Sequence, residues 1–411
     1  MKQLSPSLLA LVAIATVPTA YGLDVKDEDL TLAFHLRTQV RAERAWSADN
    51  AGDPYNIASG ATGLPDSADF YIRRLRLGFK GTYKNDYKFA TIIRMDNSDR
   101  SDSSTSTSSG GRTLATAHAA WLSRSFTQDS TGFKHTVKAG LDWAFFDSAA
   151  DLYSSSEYLF PSPRATEGST FMPVRGVGVA YKVTGRLGGK EFAYGVDIQN
   201  NVNDSTTMTN GKGEGLCYTN RFEYIPYDTS EKGHMKTTES FGGATGTGVL
   251  IGLEAGINKN ANISATAHAN RKAEGIEVLV HHNELTALVE YRLTQLATTN
   301  NAVADTNVGS KAIIIQAGWA KELSNGTVIE PAFRWSRIDL DRDSIETSNY
   351  GSNDYGNSGF QTELGVNWYL NKHAHKIQFA YQNWRGEDSA SATVENPARA
   401  NILRAQWQLN F

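Results

Sequence analysis

The stretch LTLAFHLRTQVR, residues 30–41, divides by parity. Leu30, Leu32, Phe34, Leu36 and Val40 point one way, while Thr31, His35, Arg37, Gln39 and Arg41 point the other. A helix repeats about every 3.6 residues and cannot separate those two sets, whereas a strand alternates at each residue. The segment therefore reads as a β-strand with one apolar face and one strongly basic face.

The pattern continues outward from there. Leu75, Leu77 and Phe79 oppose Arg74, Arg76 and Lys80. After a turn at Lys84-Asn85-Asp86, Tyr87, Phe89, Thr91, Ile93 and Met95 oppose Lys88, Arg94 and Asp96, which makes a hairpin with a charged face. Further strands are expected at 113–126, 133–145, 174–184, 190–200, 216–226, 247–258, 274–282, 285–296, 311–322, 326–339, 359–371, 374–385 and 399–411. With the first three this gives about 16, and single-chain bacterial membrane barrels have an even number.

Connection lengths alternate in the same sense. Long polar stretches at 47–68 and 101–111 alternate with tight ones at 84–86, 185–189, 282–284, 324–326 and 371–373. Long outer loops and short periplasmic turns are the pattern of a transmembrane barrel. Residues 227–246 break it, being too long for a periplasmic turn, and a hairpin hidden there would raise the count to 18.

The N-terminus carries Lys2, an apolar run at 8–15, Pro18, and small residues at Ala20 and Gly22. These are the parts of a secretory signal peptide over residues 1–22, leaving one barrel domain over 23–411. The run is too short to span a membrane as a helix. A single cysteine, Cys217, excludes an intramolecular disulfide, and a net charge of −4 gives no reason to expect nucleic acid as a partner. No catalytic elbow, phosphate loop or metal-ligand spacing is present; His281-His282 and His373 with His375 flank turns without a well-spaced third ligand, and no cofactor is expected.

A soluble β-protein also alternates, so the membrane reading rests on how the strands end. Trp46, Trp143, Tyr224, Trp319, Trp335, Trp368, Tyr369, Trp384 and Trp407 lie near strand ends, as interfacial girdles require. In the last strand Leu403, Ala405, Trp407, Leu409 and Phe411 alternate with Arg404, Gln406, Gln408 and Asn410, ending on an aromatic residue. Such an ending resembles the assembly signal of outer-membrane proteins.

Residues 70–81, FYIRRLRLGFKG, together with 365–371, GVNWYLN, the closing Leu403-Arg404-Ala405-Gln406 and residues 176–200, resemble the phosphate-selective porin family of the porin O and porin P type. The resemblance implies an all-β, 16-stranded antiparallel transmembrane barrel, assembled as a homotrimer, whose third loop folds inward to constrict the pore. Here that loop would run over 147–173, with Tyr153, Glu157, Tyr158, Arg164 and Glu167, and Arg175 at its exit. One departure bears on phosphate: after the fifth strand, where the family has a lysine-bearing segment, this chain reads Gly140-Leu141-Asp142-Trp143.

If the apolar set faces lipid, the inward basic residues are Arg37, Arg41, Arg74, Arg76, Lys80, Lys88, Arg94, Lys134, Lys138, Lys182, Arg221, Arg292, Arg334, Lys376 and Arg404. The inward acids are Glu43, Asp96, Asp142, Asp197, Glu223, Glu254, Glu277, Glu290, Glu330 and Glu363. Excess positive charge in a narrow passage concentrates anions, and Arg37, Arg41, Arg74, Arg76, Lys80, Arg94, Lys134, Lys138, Arg164 and Arg334 are the candidate lining and anion-binding residues. The same charges could instead neutralise one another across neighbouring strands. Passive diffusion of small inorganic or organic anions, phosphate among them, is thus expected in the outer membrane, among its lipid and lipopolysaccharide. A non-selective general porin, a plugged structural or adhesin barrel, and an enzyme built on the barrel wall are the alternatives. The parity map offers no Ser and His pair for the last.

Overall fold

A computed structural model of the chain describes residues 24–47, 67–96, 115–146, 156–164, 175–200, 216–229, 246–262, 268–298, 307–340, 358–386 and 399–410. The expected leader, the terminal Phe411 and residues 230–245 of the doubtful connection lie outside them.

Sixteen long strands form a closed antiparallel ring. They are β1 (Leu30–Ser47), β2 (Ser67–Tyr83), β3 (Tyr87–Arg94), β4 (Thr116–Gln128), β5 (Phe133–Trp143), β6 (Arg175–Leu187), β7 (Lys190–Asn200) and β8 (Leu216–Asp228). Then come β9 (Thr247–Asn262), β10 (His268–His282), β11 (Leu285–Thr298), β12 (Asn307–Trp319), β13 (Val328–Leu340), β14 (Gly359–Asn371), β15 (His375–Gly386) and β16 (Arg399–Asn410). Each pairs with the next, and β16 pairs back onto β1. Because β8 pairs directly with β9, at Asp228↔Gly248, no extra hairpin enters the ring and the count stays at 16.

Several strands run further toward the long connections than alternation indicated. β10 starts at His268 instead of 274, and β1 continues to Ser47. The added residues, such as Asn270-Arg271-Lys272, are polar on both faces, so the period-two signal fades where the strand leaves the apolar band.

Burial is inverted relative to a soluble protein. Gln39, Glu277, Glu290, Arg292, Arg334, Glu363 and Gln408 are fully buried, whereas Leu122, Val177, Val179 and Leu364 are more than half exposed. A ring of outward apolar side chains this extensive exceeds the few hundred Å² that soluble monomers expose, and it suits hydrocarbon. Two of the expected girdle residues belong to the other face. Tyr369 and Trp384 are buried on the inner wall, in the parity of Asn367 and Gln382, because position near a strand end does not fix which way a ring points.

The tight turns carry the backbone that short hairpins demand. Gly188 and Gly189 both have positive φ (59° and 78°), as a two-residue type I′ turn requires, and Asn283 (50°) adopts the same region. Gly140 on β5 has φ +126° and faces Gly178 on β6; a Cβ there would sit 2.2 Å from the Ala120 carbonyl oxygen. The close approach lets the wall bend. Gly140→Val is expected to cost about 1–3 kcal/mol from backbone strain alone, with the steric clash added, and to abolish the heat-modifiable folded band on a gel; a normal band would show that the bend tolerates a side chain.

At the seam, the described residues of β16 pair with β1 as far as Asn410↔Arg37. Beyond that point Asp24–Lys26 folds back and pairs with Thr31, Leu32 and Ala33. The other side of those residues is taken by β2, so the short segment occupies the edge that the described residues of β16 leave open.

Candidate functional site: the lumen and its constriction

The described part of the long connection after β5, residues 156–164, lies inside the barrel. Ser156, Leu159, Phe160, Ser162 and Arg164 are all buried. Its sequence, SEYLFPSPR, contains two prolines, which lack an N–H, so its carbonyl oxygens dominate its hydrogen-bonding needs. The wall supplies donors to match. Gln408 Nε2 donates to Ser156 O (3.1 Å), Lys376 Nζ to Tyr158 O (2.9 Å), Asn367 Nδ2 to Leu159 O (2.9 Å) and Arg334 Nη1 to Pro163 O (3.0 Å). Arg41 Nη2 donates to Pro161 O, and Ser162 Oγ donates to Glu363 (2.7 Å).

Apolar contacts complete the docking. Tyr158 packs on Ile225, Leu250, Leu279 and Leu288, and Leu159 and Phe160 pack on Ala332 and Ala380. Leu250, Leu279 and Leu288 point into a barrel whose inner face should be polar, and the loop is what covers them. Gly365 leaves the space that the Phe160 ring fills, since a Cβ there would come within 2.8 Å of it. The sequence reading missed these inward leucines because they follow no motif; their only signal is apolar residues at polar-face parity.

Behind the loop the inner wall of β8–β16 is filled by paired charge. Arg164 meets Glu290 at 2.7 Å and Glu277 at 3.8 Å. Arg292 meets Glu254 (2.9 Å) and Glu290 (2.7 Å), and Arg221 meets Glu223 (2.8 Å), Glu254 (2.7 Å) and Glu277. Arg334 pairs with Glu363 at 3.3 Å and Arg404 with Glu43 at 2.6 Å. These side chains are almost wholly withdrawn from water, where ion pairs are fixed in place by hydrogen bonds and losing one partner is costly. Arg164 and Arg334, read from sequence as lining the pore, direct their heads at protein groups.

The opposite arc is different in kind. On β2–β6 the inner wall carries Lys80, Lys88 and Lys134, all exposed to the interior space, with Arg94, Lys138 and Lys182 partly exposed. Small residues separate them: Gly78, Ala90, Ser123, Gly140, Gly178 and Ala180. Lys138 Nζ bonds Asp142 (2.8 Å) and lies 4.8 Å from the Phe145 ring centre, which Lys182 also approaches at 5.4 Å. These small side chains contrast with the large, paired ones behind the loop.

Arg37, Arg41 and Arg74 form a third group, buried where β1 and β2 meet the loop. Arg74 donates to Gln39 Oε1 (3.0 Å) and its guanidinium lies 5.9 Å from the Tyr158 ring centre. Arg41 also donates to Gln406 Oε1 (2.8 Å). Arg76 stands directly across from Arg94 and reaches Asp96 at 2.7 Å. Tyr153 and Glu167 of the expected loop lie outside the described residues.

The family model described as phosphate-selective porin O and P matches residues 48–411. The chain belongs to that family. Among solved structures this porin is similar to Salmonella typhi OmpF in complex with daunomycin (13% identity, TM-score 0.56, 94% of this chain and 100% of that one). It is likewise similar to an anion-selective porin from Comamonas acidovorans (10%, 0.53, 93% and 100%) and to in-vitro folded OmpT of Vibrio cholerae in a trimer form (10%, 0.52, 93% and 100%). At such identities the likeness is one of fold. No curated protein matches the chain. Family and fold together make it a bacterial outer-membrane channel, with the segment 156–164 folded into the lumen.

Proposed function

We propose that this porin passes small anions, inorganic or organic, by passive diffusion along the β2–β6 wall. The observation that carries the reading is the segregation of charge. Acids and bases cancel on the arc behind the loop, while the exposed lysines of the β2–β6 arc include Lys80, Lys88 and Lys134, for which the described residues contain no ion pair. A one-signed wall in a confined passage raises the local concentration of the opposite ion. Asp142 on Lys138 and Asp96 on Arg76 temper that field, which supports a modest charge preference with phosphate as one candidate solute.

The remaining features of the proposal follow the family. Residues 1–22 are a leader removed on export, and three copies associate, as in the trimer form of the Vibrio OmpT. A planar-bilayer recording across a salt gradient tests the transport reading. The reversal potential is expected to be anion-directed; a cation-directed value would sink the anion preference, and absence of conductance would sink the channel.

A further inference from the structure

The inner wall of β7–β9 holds a group of oxygens to which nothing donates. Asp197 and Gln199 lie on β7, Thr219 on β8 and Asn258 on β9, each only 3–4% exposed. Asp197 stands directly across from Thr219, and in the next row Cys217 separates Gln199 from Asn258. Gln199 Nε2 donates to Asp197 Oδ2 (2.9 Å) and to the Asp142 carbonyl oxygen (3.3 Å). Both partners are acceptors, so the amide faces them with its nitrogen and its oxygen is the atom left over. Among the described residues, Asp197 Oδ1, Gln199 Oε1, Thr219 Oγ1 and Asn258 Oδ1 have no hydrogen-bond partner. The Thr219 hydroxyl lies near enough to the Asp197 carboxylate to act on it, without the geometry of a hydrogen bond.

A buried acceptor without a donor is costly, and a buried carboxylate without a counter-charge more so. Several at neighbouring positions of one wall ask for a shared partner. Among the described residues no ion pair reaches Asp197, and Lys138, whose charge is felt there, is held by Asp142 at 2.8 Å. The start of the long connection lies against both rows. A Cβ on Gly195, the preceding residue on the face of Asp197, would come within 2.7 Å of the Phe145 ring, and Phe146 packs on Cys217 and Ala273.

The donor set is one of hard oxygens: a carboxylate, an amide carbonyl and a hydroxyl. Calcium takes such ligands, six to eight in all, and fills its remaining positions with water. Among the described residues no cluster of three His, Cys, Asp or Glu suits a transition metal. Asn258 lies one strand further on, across from Arg271, so a cation belongs on the Asp197 side of the group.

We propose that Asp197 Oδ1, Gln199 Oε1 and Thr219 Oγ1 bind a calcium ion, with water completing its shell, beside the point where the long connection leaves β5. The ion neutralises the buried carboxylate and stiffens the wall on which Phe145 and Phe146 pack. The site is independent of whichever solute crosses the lumen.

The test is isothermal titration of calcium chloride into the full-length folded protein in detergent, after washing with a chelator. One saturable site per chain is expected, half-filled at about 0.1–1 mM, the range of extracellular calcium modules. Asp197→Asn keeps the shape, removes the charge and is expected to weaken binding about tenfold or more, since ligand charge sets calcium affinity. As a control, Glu274→Gln with Asp339→Asn alters acids on the outer face, whose chain neighbours Ala273 and Ile338 are buried, and should bind as the wild type does. No saturable binding by the wild-type chain would overturn the proposal and assign the oxygens to buried water, an outcome that depends on no variant. Undiminished binding by Asp197→Asn, or loss of binding in the outer-face variant, would overturn it by placing the ion elsewhere. Heat-modifiable migration of both variants confirms that they fold.

Discussion

Exchanging Lys80, Lys88 and Lys134 for glutamate is expected to turn an anion-directed reversal potential into a cation-directed one. All three side chains are exposed to the lumen. Each exchange moves the charge by two units, so three exchanges move it by six. Salt screens such a field over about 10 Å at 0.1 M and about 3 Å at 1 M, so the reversal should be plain in dilute salt and shrink in concentrated salt. An unchanged potential at 0.1 M would mean that the solute path does not follow β2–β6. Arg334 provides the contrast. It is fully buried against Glu363, so Arg334→Gln should affect stability far more than selectivity.

The second large effect concerns the constriction. Arg164→Ala removes a buried cation that Glu290 shares with Arg292 and Glu277 with Arg221, a loss of at most about 3–5 kcal/mol, the cost of breaking a buried pair. If all of that fell on the docked loop, its occupancy relative to an undocked one would drop by roughly a hundredfold to several thousandfold. Single-channel conductance should rise and become noisier, and the thermal midpoint should fall. The carbonyl contacts from Lys376, Asn367 and Arg41 persist in the variant, so the loop is loosened more than released. Steady, wild-type conductance would show that the carbonyl contacts alone hold it.

The ring of strands was legible because parity repeats in every strand and needs no knowledge of the partner. The alternation at residues 30–41 and 74–80 puts Arg37 and Arg76 on one face and Leu36 and Leu77 on the other, and in the structure these like-faced residues stand across from each other, Arg37 from Arg76 and Leu36 from Leu77. What parity cannot supply is the content of the interior. It places Arg334 on the inner face, yet whether that side meets water or protein depends on a loop 172 residues away in sequence. Arg164 was read as a lining residue from its place in the inward-folded loop that the resemblance implies, and its partner Glu290 is 126 residues distant. The inward leucines and the inward Tyr369 and Trp384 were hidden likewise, since their packing partners come from elsewhere in the chain.

The seam between β16 and β1 has a consequence for the order of assembly. Its contacts join residues such as Gln39 and Gln408, 369 positions apart. Pairings of such sequence separation form late, because loop-closure entropy is lost before they contribute. Until then the sheet is an open ribbon with two sticky margins, the kind of edge that recruits foreign strands. The hairpin of Asp24–Lys26 on β1 is local and can form at once, so it acts as a selvedge. It covers Thr31, Leu32 and Ala33, with which the described residues of the last strand do not pair, and leaves the rest of that margin open for the one strand that must close it.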